Sequence, residues 1–285
     1  MARKRVVLGL AASAAFLGLI WLDTLLPGGP IFHLLIGLVM IGTLLEVYAL
    51  AERHGQEPMK VAALALAVAF VAWDYAARVS EGLAFGLVAE GGAGLLGAFY
   101  AASGLAVAGG LWALAAAALF TRDPRRWLEA APITIGGFLY VWFLGAHWFP
   151  IRELGIGYVL ALVAVAKLGD SGAYFVGSHW GRRRLAPRVS PNKTVEGAIG
   201  GLAASVLGAC AFALIFRLER GLGFWAAFGL ITGVASQIGD LVASAIKRSA
   251  GAKDSGTLLP AIGGLLDVVD SPLMAAPVAL WLLAW

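Results

Sequence analysis

Residues 223–246 read GFWAAFGLITGVASQIGDLVASAI, an apolar run that contains a single charged residue, Asp240. About 20 apolar residues are enough for a helix to cross the hydrocarbon core of a bilayer, so this run predicts a transmembrane helix. A carboxylate inside such a helix is costly and indicates a functional site. The structural alternative is that Asp240 is the buried partner of a Lys or Arg residue.

The whole chain shares this apolar composition. Hydrophobic residues make up 60% of its 285 residues and charged residues only 13%, against roughly 25% charged residues in a soluble domain. Because backbone amides in lipid must be satisfied internally, we expect helical spans, and the pattern lacks the strand alternation of a membrane barrel. The composition therefore predicts an all-α, polytopic integral membrane protein. The net charge of +4 arises from clusters at the ends of apolar runs and does not indicate nucleic-acid binding.

Nine apolar runs are candidate transmembrane spans: 6–27, 30–50, 60–76, 102–120, 131–149, 155–178, 195–216, 223–246 and 271–285. With a cytoplasmic N-terminus, nine spans place the four main basic loops on the cytoplasmic side, as the positive-inside rule expects. These loops are 51–59, 121–130, 179–194 and 247–270. The Gly-rich segment 79–101 is a loop, a re-entrant hairpin or a tenth span, and a tenth span would place the later basic loops outside. We divide the chain into N-terminal membrane helices, 1–130, and a C-terminal catalytic region, 131–285.

Charge is concentrated in residues 244–270, SAIKRSAGAKDSGTLLPAIGGLLDVVD, directly after Asp240. One helical stripe is formed by positions i, i+4, i+7 and i+8, which here are Asp240, Ser244, Lys247 and Arg248. The stripe runs from an acid within the membrane to two cations at its edge. Such a stripe can bind a metal ion deep and phosphate groups at the edge, and hard oxygen ligands favour Mg²⁺.

Two further features of this stretch have the same chemistry. Asp267 and Asp270 are spaced i, i+3, so they share a helical face and would repel each other unless a cation lay between them. The structural alternative is an acidic helix start that faces water. Lys253–Asp254 and Gly263–Gly264 are typical of a loop that holds phosphate or metal, because glycine lets the backbone approach a ligand closely.

A second polar segment, residues 170–197, begins with Asp170 inside an apolar run. Phosphate oxygens can accept hydrogen bonds from four of its side chains: Arg188, Ser190, Lys193 and Thr194. The pattern Pro191, Thr194 and Glu196 predicts the start of a helix. The three arginines at 182–184 are typical of an anchor to anionic lipid headgroups.

Both segments resemble the signature of the phosphatidate cytidylyltransferases, the CDP-diacylglycerol synthases. Residues 244–270 match that family's order of Ser, Lys-Arg, Lys-Asp, Pro, Gly-Gly and two Asp without a gap, and residues 170–197 match its Asp-Ser-Gly-Ala-Tyr and Ser-Pro-x-Lys-Thr-x-Glu-Gly patterns. The resemblance covers about residues 150–285. Three positions depart from it: Ile262 stands where the family has His, Val268 where it has Arg, and Ala243 where it has Glu.

The resemblance implies an enzyme of phospholipid biosynthesis that transfers the cytidylyl group of CTP to phosphatidate, releasing CDP-diacylglycerol and diphosphate. It implies a multi-pass protein of the cell inner membrane whose active site faces the cytoplasm. Mg²⁺ would be held by Asp240, Asp267 and Asp270, with a monovalent cation as a further option. Lys253 and Asp254 would be catalytic together with those acids. The substrate-binding residues would be Asp170, Arg188, Ser190, Lys193, Thr194, Ser244, Lys247, Arg248, Gly263 and Gly264.

The implied partners are CTP, phosphatidate or a similar lipid phosphate, and the bilayer, with no nucleic acid; a homodimer is one expected assembly. Two alternatives stay open. One is a related CTP-dependent lipid enzyme, such as a synthase of the CDP-archaeol type acting on an ether-linked lipid, or a polyprenol kinase. The other is a transporter in which Asp170 and Asp240 line an ion path.

Overall fold

The computed structural model describes residues 29–79, 124–256 and 263–285, with short pieces at 19, 22–23, 25–26, 104, 108–110, 112 and 258. Six of the described helices are long and apolar enough to cross a membrane, so the chain is a multi-pass helical membrane protein. The predicted spans 6–27 and 102–120 lie largely outside the described residues. Ile262 and the segment 79–101, apart from Val79, also fall outside them.

Nine helices and two strands make up the described part of the chain: α1 Pro30–Arg53, α2 Lys60–Val79, α3 Pro124–Phe138, α4 Leu144–Ala146, α5 Trp148–Leu154, α6 Ile156–Trp180, β1 Arg184–Ala186, β2 Ser190–Thr194, α7 Val195–Ile215, α8 Leu222–Ser249 and α9 Leu266–Ala284. A π-helical turn, Leu139–Phe143, joins α3 to α4. Together α3, the π-turn, α4 and α5 form one continuous span, Trp127–Leu154. The other five spanning helices are α1, α6, α7, α8 and α9, which correspond to the predicted spans in those regions.

The predicted span 60–76 is helical, as α2, but it is not among the six spanning helices. Two of its charged residues are Lys60 and Asp74. The carboxylate of Asp74 lies 3.2 Å from Nε2 of His33 in α1, and both side chains are only 2% exposed. A buried polar pair of this kind is stable only when both partners are satisfied, so it fixes α2 against α1.

Large buried side chains form a core between α1, the α3–α5 span and α8. Tyr48, Trp142, Phe149 and Trp225 are each at most 1% exposed. The C-terminal half continues from this core, because α6 packs along α7, and α8 packs against both α7 and α9. Hydrogen bonds from side chains to backbone carbonyls join these helices: Ser205 Oγ to Val165 O at 2.9 Å and Gln237 Nε2 to Ala198 O at 2.9 Å. Such bonds hold membrane helices in a defined register.

A short antiparallel hairpin, β1 and β2, connects α6 to α7 and was not predicted from the sequence. Pro187 and Pro191 disfavour helical geometry in the residue before each of them, which leaves this connection extended. After the hairpin, Thr194 caps α7 by accepting the N–H of Gly197 at 3.1 Å, so the predicted helix start is confirmed. The all-α prediction therefore holds for the membrane helices, with the hairpin as an addition.

Parts of the loops expected on one face of the membrane meet at one end of the described bundle. Arg248, at the end of α8, donates to the carbonyl of Val189 in the hairpin at 3.4 Å. Near the other end of the sequence, Glu46 of α1 accepts the N–H of Leu265 at the start of α9. The C-terminal ends of α1 and α8, the hairpin and the start of α9 therefore meet at this end.

Candidate active site

A cavity of about 630 Å³ opens beside the hairpin, between α6, α7 and α8. Its polar lining comes from the segment 170–197 and from the apolar run 223–246 that contains Asp240. It includes Asp170, Arg184, Lys193, Thr194 and Asp240. The cavity is large enough for a ligand of several hundred Å³, and its mixture of acids and cations suits a phosphate ligand that binds with a metal ion.

The ion pair between Asp240 and Lys193 lies in this cavity. Asp240 is on α8 and Lys193 is on β2, and their side chains are 29% and 27% exposed, so both can still contact a ligand. The sequence left open whether Asp240 has a cationic partner, and this contact shows that it does. The partner comes from the segment in which the sequence predicts phosphate-binding residues.

Two more carboxylates approach Asp240. Asp170 of α6 and Asp270 of α9 both interact electrostatically with it, and the hydroxyl of Ser271 donates to Asp170 across α6 and α9 at 3.4 Å. Asp270 is only 7% exposed, and one of its oxygens accepts the N–H of Ser271 at 2.6 Å. The site thus concentrates three acids where three helices, α6, α8 and α9, meet.

Gly239 allows α9 to approach α8 at this point. A Cβ atom at position 239 would clash with the carbonyl oxygen of Asp270 and would lie 2.9 Å from Cβ of Met274. The residue before Asp240 must therefore be glycine for Asp270 to reach the site. This is the physical reason for the Gly-Asp pair in the sequence.

Asp267 belongs to a second, adjacent cluster. One of its oxygens forms an ion pair with Lys247 of α8. The other oxygen accepts the N–H of Ser255 at 3.0 Å, the N–H of Gly264 at 2.9 Å and approaches the hydroxyl of Ser255 at 3.1 Å. Both oxygens of Asp267 are thus engaged by donors of the chain, and they tie Ser255 and Gly264 to the start of α9.

Glu46 completes this cluster and is the clearest site residue that sequence reasoning missed. Its carboxylate accepts the N–H groups of Leu265 and Leu266, at 2.8 and 2.9 Å, and the hydroxyl of Ser255 at 2.7 Å. It thereby satisfies two free amides at the start of α9 and places negative charge at the positive end of that helix. The available signal was a single carboxylate within the apolar run 30–51, the same signal that identified Asp240.

The two glycines predicted to approach a ligand instead approach these carboxylates. Gly263 has a φ of +121°, a conformation that side chains rarely adopt, and a Cβ at Gly264 would overlap Ser255 Oγ and Glu46 Oε2. Glycine is therefore required here because the backbone lies directly against Glu46 and Asp267.

Lys167 is a second residue that the sequence analysis did not single out. It lies on α6, three residues before Asp170, and its ammonium donates to the carbonyl of Val268 at 2.8 Å. It also interacts electrostatically with both Asp170 and Asp270. A lysine within an apolar span indicates a functional site, as an acid there does. Lys167 is the third cation beside the acids, after Lys193 and Lys247.

The remaining predicted residues lie around the two clusters. Arg248 donates to the carbonyls of Val189 and Ala252, so it ties the hairpin to the end of α8. Ser244 is half-buried on α8 between the two ion pairs. Four predicted residues lie on the hairpin or in the 253–254 loop: Arg188 and the pair Lys253 and Asp254 are exposed, and Ser190 is half-buried.

The structure describes two of the three positions that depart from the family pattern, Ala243 and Val268. Ala243 is fully buried in α8 and leaves no room for a longer side chain without repacking. Val268 contributes its backbone carbonyl to Lys167, a contact that any residue could make.

The described residues contain no group of three or more His, Cys, Asp or Glu side chains placed to hold a metal ion together. The predicted set of Asp240, Asp267 and Asp270 is divided, because Asp267 is held by Lys247 and the loop amides. The remaining pair, Asp240 and Asp270, fits Mg²⁺ as it is usually bound, by one or two carboxylates with substrate phosphates and waters as the other ligands.

The chain is similar to known proteins. A family model described as "Cytidylyltransferase family" matches residues 3–285. Phosphatidate cytidylyltransferase of Bacillus subtilis (strain 168) is 41% identical over 169 residues, which cover 58% of this chain and 60% of the relative. The protein of that name from Staphylococcus aureus (strain COL) is 39% identical over 132 residues, 46% of this chain and 50% of the relative.

A third relative, phosphatidate cytidylyltransferase of Brucella suis biovar 1 (strain 1330), is 41% identical over 160 residues, covering 55% of this chain and 58% of the relative. The matches span about half to three-fifths of the length of these curated relatives. The family model, in contrast, extends over nearly the whole chain. On this evidence the chain belongs to the cytidylyltransferase family.

Proposed function

We propose that this protein transfers the cytidylyl group of CTP to phosphatidate, producing CDP-diacylglycerol and diphosphate. The observation that supports this most directly is the cavity at one end of the bundle, in which Asp170, Asp240 and Lys193 converge. Acids that can hold a cation and a lysine that can bind phosphate lie in one space there. The relatives' shared name, phosphatidate cytidylyltransferase, supports the same reaction.

The reaction needs no strong base. A phosphate oxygen of phosphatidate, already anionic, attacks the α-phosphorus of CTP, and the bond from that phosphorus to the oxygen bridging to the β-phosphate breaks. The electron pair of that bond leaves with diphosphate. The protein's task is to position the two phosphates and to neutralise their charge.

The residues of the site divide this task. Lys193 would exchange its contact with Asp240 for a substrate phosphate, because a phosphate offers more acceptor oxygens and more charge than one carboxylate. Asp240 and Asp270 would then be free to hold Mg²⁺, which supplies charge neutralisation at the nucleotide phosphates when it is bound. Asp267, Lys247 and Glu46 hold the start of α9 in place, and with it the helix that carries Asp270.

The location of the site fits a water-soluble and a lipid substrate. The cavity lies where the basic hairpin and the ends of the helices meet, so we place this end at the cytoplasmic surface of the inner membrane, in agreement with the positive-inside rule. CTP would enter from water and phosphatidate from the adjacent leaflet. Nine spans with a cytoplasmic N-terminus remain our proposal for the whole chain.

The experiment is a lipid acceptor panel with the purified full chain. Labelled CTP is supplied with phosphatidate, with an ether-linked phosphatidate analogue, or with a polyprenol, each with Mg²⁺ and with a chelator. We expect a CDP-lipid from phosphatidate only when Mg²⁺ is present. Phosphorylated polyprenol would indicate a polyprenol kinase, and product from the ether lipid alone would indicate an ether-linked substrate; either result would contradict phosphatidate as the substrate. No turnover with any acceptor would contradict a cytidylyltransferase activity.

A further inference from the structure

The π-helical turn Leu139–Phe143 interrupts the span that faces the acids of the site. Such turns are rare, and they occur often at functional sites because the extra residue redirects the side chains around it. Tyr140 lies in this turn. The side chain of Tyr140 is therefore directed by this turn.

The hydroxyl of Tyr140 is buried and has no hydrogen-bond partner among the described residues. Buried hydroxyl groups are nearly always paired, because an unpaired one loses its bonds to water without replacement. Among the described side chains, Trp142 Nε1 is the only other buried polar atom without a hydrogen-bond partner. The ring of Trp142 packs against Phe70 and Phe138 in an apolar setting. The surroundings of Tyr140 are different.

The charged groups that act on Tyr140 are Asp270 and Asp240, the two carboxylates that fit Mg²⁺. Neither accepts the hydroxyl of Tyr140, although both are strong acceptors. A donor that is buried near two acids and bonded to neither still lacks an acceptor. A ligand oxygen that enters beside the two acids would satisfy it.

We propose that the Tyr140 hydroxyl donates a hydrogen bond to a phosphate oxygen of the substrate bound beside Asp240 and Asp270. Tyr140 is then a substrate-binding residue that reaches the site from the α3–α5 span. The ligand chemistry is a phosphate, which CTP and phosphatidate share. The inference rests on the proposed function for the identity of these two ligands.

The test compares Tyr140→Phe with Tyr48→Phe in the purified full chain. Tyr48 is the matched control, since its buried hydroxyl already donates to the carbonyl of Thr134 at 2.7 Å. Binding of CTP with Mg²⁺ and binding to vesicles containing phosphatidate are measured separately, together with the thermal midpoint of the ligand-free protein. A hydrogen bond to a charged acceptor corresponds to a loss of about tenfold or more in affinity when it is removed.

We expect Tyr140→Phe to bind one of the two ligands about tenfold more weakly while its ligand-free midpoint does not fall. The ligand that weakens identifies which phosphate Tyr140 contacts. Tyr48→Phe is expected to show the reverse, a lower midpoint with unchanged affinities. Unchanged affinity of Tyr140→Phe for both ligands would overturn the inference.

The binding readout separates this inference from the proposed function. A wild-type protein that binds CTP and phosphatidate without forming product would contradict the proposed reaction, and a loss of affinity in Tyr140→Phe would still support the contact. A wild-type protein that binds neither ligand would contradict both.

Discussion

Glu46→Gln tests whether the N-terminal half of the chain organises the site. The carboxylate of Glu46 accepts three hydrogen bonds, two from the amides at the start of α9 and one from Ser255. Glutamine has the same shape but only one acceptor oxygen, and its NH₂ group would face an N–H donor. The substitution therefore removes at least one charge-assisted bond and the favourable charge at a helix N-terminus.

The expected cost follows from these two losses. A hydrogen bond to a charged group contributes about 1.5–3 kcal/mol, and a charge at a helix N-terminus about 0.3–1 kcal/mol. Because Glu46 is partly exposed, we take a total of about 2 kcal/mol, near the lower end of that sum. For a large domain this lowers the thermal midpoint by about 4 °C or more. Cytidylyl transfer should also fall, because Asp267 and Asp270 lie on the helix that Glu46 caps.

Glu52→Gln is the matched control, the same substitution on the same helix. Glu52 pairs with Lys60 at 2.6 Å, and the two side chains are 46% and 32% exposed. Surface pairs of this kind contribute about 0–1 kcal/mol. The assay is thermal unfolding of both variants in detergent, followed by activity in phosphatidate vesicles. Equal midpoints and equal activities for the two variants would refute the role that we assign to Glu46.

Two further substitutions test the loop and the cavity. Gly264→Ala should reduce stability and activity together, because its Cβ would overlap Ser255 and Glu46. The control is Gly221→Ala, which should leave both unchanged because a Cβ there meets nothing within 4 Å. Comparable melting curves and activities for the two variants would contradict the packing described. Lys193→Met removes the cation that faces Asp240 and should lower kcat/KM for CTP by about tenfold or more, since charge-assisted bonds contribute about 1.5–3 kcal/mol. Steady-state kinetics with Lys60→Met as control measure this, and identical kcat/KM values would count against Lys193 as a phosphate-binding residue.

Local sequence patterns were sufficient for the six described helices that are long and apolar enough to cross a membrane. A run of about 20 apolar residues has few other structures available to it, and Thr194 with Glu196 indicates a helix start through a contact only three residues long. The start of α9 was less clear. The apolar run predicts a span from residue 271, whereas the helix begins at Leu266, because Glu46 satisfies the amides of its first turn.

The site was predictable in its residue types but not in its pairing. Asp240 is recognisable as an acid within an apolar run and Lys193 as a cation suited to phosphate, yet only the tertiary structure brings them together. Glu46 contacts residues more than 200 positions away, so no local pattern contains its role. Asp267 resembles Asp270 in sequence, but the loop amides and Lys247 engage it, and this difference depends on the fold.

The most direct test of the account is the effect of Asp240→Asn on cytidylyl transfer. Asparagine keeps the size of the side chain but removes the charge that pairs with Lys193 and that would hold Mg²⁺. Glu219→Gln, an exposed acid in the α7–α8 loop at the opposite end of the bundle, is the control. CDP-diacylglycerol and diphosphate formed from CTP and phosphatidate are measured for both variants and the wild type.

We expect the wild type and Glu219→Gln to form CDP-diacylglycerol and diphosphate in equal amounts and at the same rate as each other. Asp240→Asn should be slower by about 100-fold or more, the scale on which one electrostatic group contributes to such a transition state. The folded variant should still insert into vesicles. Wild-type rates in Asp240→Asn would contradict the central claim that this cavity is the catalytic site.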